Sequence, residues 1–330
     1  MSIVYLTHRE IDKTQWDSVV EQSCQRQVYA MSWYLDVVSP GWEAVVALSQ
    51  EGGYQMVMPV PCRRKLGLRY IQQPFYCQQL GVYSAEKVCK AVYEAFIAEL
   101  HRKFRYVINL AFNTDNQLPP AMPAVQVGHT ATHYLDLSPG YERIFQSYTR
   151  DRKMNLRRAH KAQLSIVESD DIEPLIDFFK QDAAGRVFGG VSEGAYRLLR
   201  KLHQVLRSKG VARLLYTEDQ AGRKNAGCLF MVWGGRVVYI FNAAPRHSRK
   251  QNGRTLLLDY MIQRYAGQPY TLDFESPDAT EEAIVSFYKS FGATAMPIPV
   301  LHYNRLPQGI KKVRELRMRL VRKLKGLPES

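Results

Sequence analysis

The sequence predicts two mixed α/β domains in tandem, with α+β mixed sheets, followed by a basic amphipathic helix. Three observations carry this. The chain has 330 residues, more than one hydrophobic core usually holds. The order strand, two helices, three strands, helix, strand and closing strand reads off twice, offset by about 160 residues. Near the end, Ile310, Val313, Leu316, Leu320, Leu324 and Leu327 advance by three or four, the spacing of one apolar helical stripe. The domains are expected at 1–138 and 139–306, with the helix and tail at 307–330. A single mixed α/β domain is the competing architecture.

The first half opens with a strand at 3–7 and helices near 16–21 and 33–38. Apolar strands follow at 43–49 and 54–61, separated by Glu51-Gly52-Gly53, a hairpin signal. A basic turn (Arg63, Arg64, Lys65, Gly67) leads to Q-Q-P-F-Y-C-Q-Q-L-G-V-Y at 72–83. That segment is unusually polar and aromatic. It fits either a cleft lining or a turn with an edge strand. Val88, Val92, Ala95, Phe96 and Leu100 mark a helix over 84–103. A strand at 106–112, a Pro-rich loop at 118–123 and a strand near 125–137 complete the half.

The second half begins with a basic helix at 140–161, a strand at 164–168 and helices near 171–183 and 192–209. Strands are predicted at 212–217, 226–233 and 237–242, the last two joined by Gly234-Gly235. A loop then opens a helix at 254–266, before a strand at 270–274, a helix at 280–290 and a strand at 294–304. The terminal helix, 308–326, has Pro307 at its entrance and Gly326 with Pro328 as its stop.

Composition narrows the function classes. With 46% hydrophobic and 23% charged residues, the chain is neither disordered nor fibrous. No apolar run approaches the roughly 18–20 residues that span a bilayer, and no signal peptide is expected. The five cysteines contain no C-x-x-C, which predicts reduced thiols and a cytoplasmic protein. The net charge of +14 is concentrated: residues 150–161 carry +5 and residues 311–325 carry +7. The terminal helix can pack its stripe on the body, lie against the anionic inner face of a membrane, or grip nucleic acid. His129 and His133 share a face of a predicted strand, but without a third ligand no metal is expected. The dinucleotide, P-loop and serine-hydrolase motifs are absent from the sequence.

The strand–helix order of each half resembles the Gcn5-related N-acetyltransferase (GNAT) fold, and two such units in one chain resemble the FemABX-like aminoacyltransferases. R-R-A-H-K-A-Q-L-S-I (157–166) looks like that family's basic helix entering its second domain. L-D-F-E-S-P (272–277) and F-Y-K-S-F-G-A (287–293) are similar to its late strand and its helix ending in a Phe-Gly turn. The family's cell-wall members place a Phe-Lys pair four and three residues before that turn; here the pair is Phe287-Tyr288, with lysine one place later at Lys289.

The resemblance implies an N-acyltransferase or aminoacyltransferase. Its donor is acyl-CoA or aminoacyl-tRNA, a co-substrate and not a tightly bound cofactor. Its acceptor is the amine of an anionic or lipid-linked cell-envelope or polysaccharide precursor. A donor's phosphates would sit at the start of the late helix, where backbone N–H groups and the helix dipole favour anions. That assigns Arg249, Lys250, Asn252, Gly253, Arg254 and Thr255, on a degenerate Lys-x-x-Gly-x-Thr loop that also reads as an ordinary helix cap. Acyl transfer to an amine needs a proton acceptor and stabilisation of oxygen charge. The candidates are Glu275 and Asp273 for the proton, and Tyr288 and Lys289 for the charge. Tyr239 and Asn242 on the preceding strand, and Arg157 and Arg158 on the basic helix, are assigned to the substrate. Each carboxylate also reads as a polar strand end, and each arginine as a solvated helix face. A non-catalytic module that holds an anionic glycan, lipid or RNA in the same cleft is the second functional reading.

Overall fold

The computed structural model of the chain describes residues 2–118, 125–182, 191–275 and 281–311. The first half contains β1 (Ser2–Leu6), α1 (Lys13–Gln22), α2 (Ser32–Val38), β2 (Glu43–Leu48), β3 (Tyr54–Val60), β4 (Cys62–Lys65), β5 (Leu68–Gln72), β6 (Tyr83–Ser84), α3 (Lys90–Lys103), β7 (Tyr106–Ala111) and β8 (Gln126–Asp136). The second contains α4 (Tyr141–Ser147), α5 (Arg150–Lys161), β9 (Ser165–Glu168), α6 (Glu173–Asp182), α7 (Glu193–Ser208), β10 (Ala212–Glu218), β11 (Lys224–Trp233), β12 (Arg236–Ala243), α8 (Gly253–Tyr265), β13 (Thr271–Asp273), α9 (Glu282–Lys289) and β14 (Thr294–Asn304). Residues 308–311 begin a helix; the rest of the expected terminal helix and most of the Pro-rich loop lie outside the described residues.

Three local expectations change. The basic turn at 63–67 is a hairpin: β4 pairs β5 across Leu66 and Gly67, both at positive φ (49° and 76°), as a tight two-residue turn requires. Leucine is a poor signal for such a turn, and Leu66 is 90% exposed. The helix expected over 140–161 is two helices broken at Tyr148-Thr149. Thr149 caps the second, its Oγ1 accepting from the Arg152 N–H at 3.3 Å. Finally, α3 begins at Lys90 rather than 84.

Four strands form one sheet in the order β1-β2-β3-β6, and ten form another in the order β4-β5-β7-β14-β8-β13-β12-β11-β10-β9. Each half builds an antiparallel run that ends in one parallel step around a helix, β5 to β7 across α3 and β12 to β13 across α8. The halves then exchange their last strands. β8 leaves the first half and pairs with β13, whereas β14 returns from the second half to pair with β7. The two exchanged strands pair with each other over nine residues, Thr294↔Tyr134 to His302↔Gln126.

Alternation sets what each face of β12 and β13 meets. Val238 points to a core shared with Leu175 and Leu199 of the second half and Tyr34 and Leu35 of the first. Val237, Tyr239, Leu272 and Phe274 point to a second core with Leu257, Leu258 and Phe291. A bulge interrupts the alternation: Phe230 faces Tyr239 and Leu229 faces Phe241, so Ile240 is the extra residue. Phe241 therefore joins Ile240 in the first core, and Asn242 falls on the face of Tyr239.

Candidate active site

β12 and β13 pair in parallel over three residues, ending at Val238↔Asp273. β12 continues to Ala243, while the chain after β13 turns at Glu275, which has φ of 47°. Beyond Val238, no strand among the described residues pairs with β12 on this side. Such a parting leaves backbone donors and acceptors available to a ligand.

Asp273 and Glu275 turn toward the first half. Asp273 is 1% exposed and accepts from Thr132 Oγ1 at 2.6 Å, Gln79 Nε2 at 3.2 Å and the Glu275 N–H at 2.9 Å. Gln79 Oε1 in turn accepts from Gln27 Nε2 at 3.1 Å and the Tyr134 hydroxyl at 3.2 Å. Burial raises the Asp273 pKa, while the Thr132 bond, the Glu275 N–H and the charge of Arg236 oppose the rise. Glu275 accepts from the Tyr29 hydroxyl at 2.8 Å. Burial pushes its carboxyl up to about 8; the Tyr29 bond opposes that and the charge of Asp273 adds to it. A carboxyl tuned this near neutrality suits proton transfer.

The opposite face holds cations. Arg254 Nη1 donates to Asn242 Oδ1 at 2.9 Å, which the bulge has turned toward it. Arg152 is 6% exposed, and its donors go to hydroxyls: Nε to Ser290 Oγ at 2.9 Å and Nη1 to Thr255 Oγ1 at 2.5 Å. Its guanidinium lies 4.2 Å from the Phe287 ring centre, and that of Arg254 lies 5.6 Å from the same ring. Burial, and then the charge of Arg254, push the Arg152 pKa down to about 10, so it is still a cation at neutral pH. Among the described residues Arg152 is hydrogen-bonded to hydroxyls and to no carboxylate; a buried cation so placed is costly, and two flanking one helix start suit an anion.

The placement sorts the expected residues. Arg254 and Thr255 join the cation cluster. Asn252 starts α8 with φ of 60°, Lys250 is exposed, and Arg249 Nε is bound to the Ala244 carbonyl at 3.2 Å. Gly253 has a packing reason: a Cβ there would stand 2.4 Å from Thr217 Oγ1 and 2.8 Å from the Ala226 Cβ. Gly253→Ala should therefore cost about 1–3 kcal/mol, read as a lower urea midpoint. An unchanged midpoint would mean that α8 has room to move.

Tyr239 and Tyr288 do not line an open slot. They are 2% and 5% exposed, with Phe274 stacked on Tyr288 at 4.7 Å and Tyr239 edge-on to Tyr288 at 6.3 Å. These rings fill the parting on this face. Lys289 is exposed on the far side of α9, in a depression of about 440 Å³ with His133, Glu282 and Ala295, and does not join Glu275. Arg157 and Arg158 also miss the cleft. Both are exposed, and among the described residues Arg158 bonds within its helix, to Asn155 and Met154.

Sequence reading missed Arg152, Tyr29 and Thr132. Arg152 had a usable signal: it stands four residues before Leu156 and seven before Ala159, the buried positions of α5, and so shares their face. The 72–83 segment does meet the second half, through Gln79 on Asp273 and Tyr76 against Phe241 at 6.3 Å.

The fold is that of the GNAT-type acyltransferases. Residues 143–281 match the family model for an acetyltransferase (GNAT) domain. Among solved structures, the chain is similar to FemX, at 13% identity and a TM-score of 0.65, covering 95% of this chain and 99% of that one. It is also similar to a conserved protein of unknown function from Bacteroides thetaiotaomicron, at 10% identity and a TM-score of 0.58, covering 89% and 97%. L-PGS from Bacillus licheniformis gives 12% identity and a TM-score of 0.50, covering 94% and 97%. At these identities the likeness is one of fold. The comparison with curated proteins gave no match. No helix among the described residues is long and apolar enough to cross a membrane.

Proposed function

We propose that the chain transfers an acyl or aminoacyl group from a phosphate-bearing donor, acyl-CoA or aminoacyl-tRNA, to an amine of a cell-envelope or polysaccharide precursor. The observation that carries this is the pair Arg152 and Arg254, two guanidiniums beside one ring at the start of α8 with hydroxyl and amide partners. A phosphate group supplies the charge this pair lacks. The parting of β12 and β13 separates it from Glu275 on the opposite face; Tyr239, Tyr288 and Phe274 fill its cation side, so an acyl arm reaches Glu275 only when these rings move aside.

In this reading the acceptor nitrogen attacks the acyl carbonyl carbon. A C–N bond forms, the C–S bond of a thioester or the C–O bond of an aminoacyl ester breaks with its electron pair on the leaving sulfur or oxygen, which takes a proton from solvent, and the amine proton passes to Glu275. The division at 1–138, 139–306 and 307–330 is part of the proposal, with the first half supplying acceptor contacts through Tyr29 and Gln79. The resemblance of 157–166, 272–277 and 287–293 to the FemABX-like aminoacyltransferases favours the aminoacyl branch and an envelope acceptor. A tRNA partner, and contact of residues 308–326 with anionic membrane, belong to the same reading.

Thermal shift with CoA, acetyl-CoA and inorganic pyrophosphate tests the donor site. Stabilisation by CoA and pyrophosphate is expected, and no shift with any of them would remove a CoA donor. Lys289→Ala should leave acyl transfer within about twofold, because a residue far from the reacting atoms contributes little to the barrier. A hundredfold loss measured by thiol release would return Lys289 to the site.

A further inference from the structure

Among the described residues, the hydrogen bond from the first half to Glu275 comes from Tyr29. Tyr29 lies in the short 3-10 turn Val28–Ala30 and is 1% exposed. Its hydroxyl donates to Glu275 Oε1 at 2.8 Å, across 246 residues of chain. The Tyr29 ring stands edge-on to Tyr34 at 5.6 Å, and the Tyr34 hydroxyl donates to the Tyr76 carbonyl, so the donor is held by packing on its own side. The acceptor is held less firmly. Glu275 is a non-glycine residue at φ of 47°, a conformation that needs support from its surroundings. The other titratable groups that face its carboxyl are Asp273 of β13, Tyr34 of α2, Tyr76 and Cys77 of the segment after β5, and Tyr288 of α9. None of these is a cation. Tyr29 is the side-chain donor that meets the carboxylate.

We propose that Tyr29 is a positioning residue: the first half fixes the Glu275 carboxylate at the end of β13 through this one hydrogen bond, so the proton acceptor of the second half is completed by the first. The inference rests on the reading of Glu275 as that acceptor. Its test separates the two.

Urea unfolding of the full chain is measured from pH 5 to 9 for wild type, Glu275→Gln, Tyr29→Phe and the double variant. Within each pair, the difference isolates the titration of Glu275. In the Tyr29→Phe pair that titration should lie about one pH unit higher, the size of one lost hydrogen bond to a charged group. An unmoved titration overturns the proposal. Should Tyr29→Phe fail to fold, Glu275→Asp shortens the reach by one methylene and leaves the tyrosine in its core. Its carboxyl should then titrate as one that has lost the Tyr29 bond, and a carboxyl that keeps the wild-type behaviour overturns the proposal equally.

Aminolysis of acetyl-CoA by glycinamide, followed by thiol release, gives the second readout. The acid limb should move by the same unit, which lowers the rate about tenfold at pH 7 and restores it above the limb. A merely structural lesion lowers the rate at every pH. A moved titration with an unmoved limb keeps Tyr29 as the holder of the carboxylate and overturns Glu275 as the base.

Discussion

Glu275→Gln should make the protein more stable at pH 9 than the wild type, and about equally stable at pH 4. The carboxyl titrates near 8 in the folded chain against an ordinary 4.5. Folding thus takes up a proton between those values, and the contribution of Glu275 to stability falls as pH rises through that window. Over this range the loss amounts to a few kcal/mol. Glutamine is close to the protonated acid in shape and keeps an acceptor for Tyr29, so the two proteins match at low pH and diverge above it. Urea midpoints at three pH values measure this, and parallel curves would place the carboxyl in water. The same change should lower acyl transfer about 10²–10⁴-fold if the carboxylate takes the amine proton. A residue that costs stability at working pH and supports turnover is the signature of a functional group.

Arg152→Met should show the same opposition. Methionine keeps the contacts with Phe287 and Phe291 and removes a buried cation whose donors, among the described residues, reach hydroxyls. Replacement of such a charge by an apolar side chain raises stability by about 1–3 kcal/mol in the absence of ligand. Affinity for CoA should fall about 10–100-fold, the value of a charge-assisted hydrogen bond to phosphate. Calorimetric titration alongside thermal unfolding reads both. A destabilised variant that binds CoA as well as the wild type would assign Arg152 to architecture.

The two halves of this site were unequally legible in the sequence. Asp273 and Glu275 stood out as acids at the end of an apolar strand. Tyr29 could not be found that way, because its partner is 246 residues distant and no local pattern records such a contact. The basic run at 150–161 showed that a cationic device exists but not which arginine it uses. That depends on helical phase, and the unrecognised break at Tyr148-Thr149 resets where the helix begins. Arg157 and Arg158 lie on the exposed side of that helix; Leu156 and Ala159 bury the face that Arg152 shares. Tyr239 and Tyr288 carry hydroxyls that read as chemistry, but their rings pack with Phe274. Strand order within each half could be read from apolar runs. The exchange of β8 and β14 could not, since pairing between remote strands leaves no trace in either segment.

That exchange constrains how the molecule comes into being. During synthesis, residues 2–118 emerge with an unfilled place beside β7, and the piece that fits it lies nearly two hundred residues downstream. Until that piece arrives, the edge of β7 is open to any other extended chain, and the mean separation of partners is large, which slows assembly. Severed near Leu137, the chain would give two fragments that each hold the other's missing member. They should regain structure only when mixed.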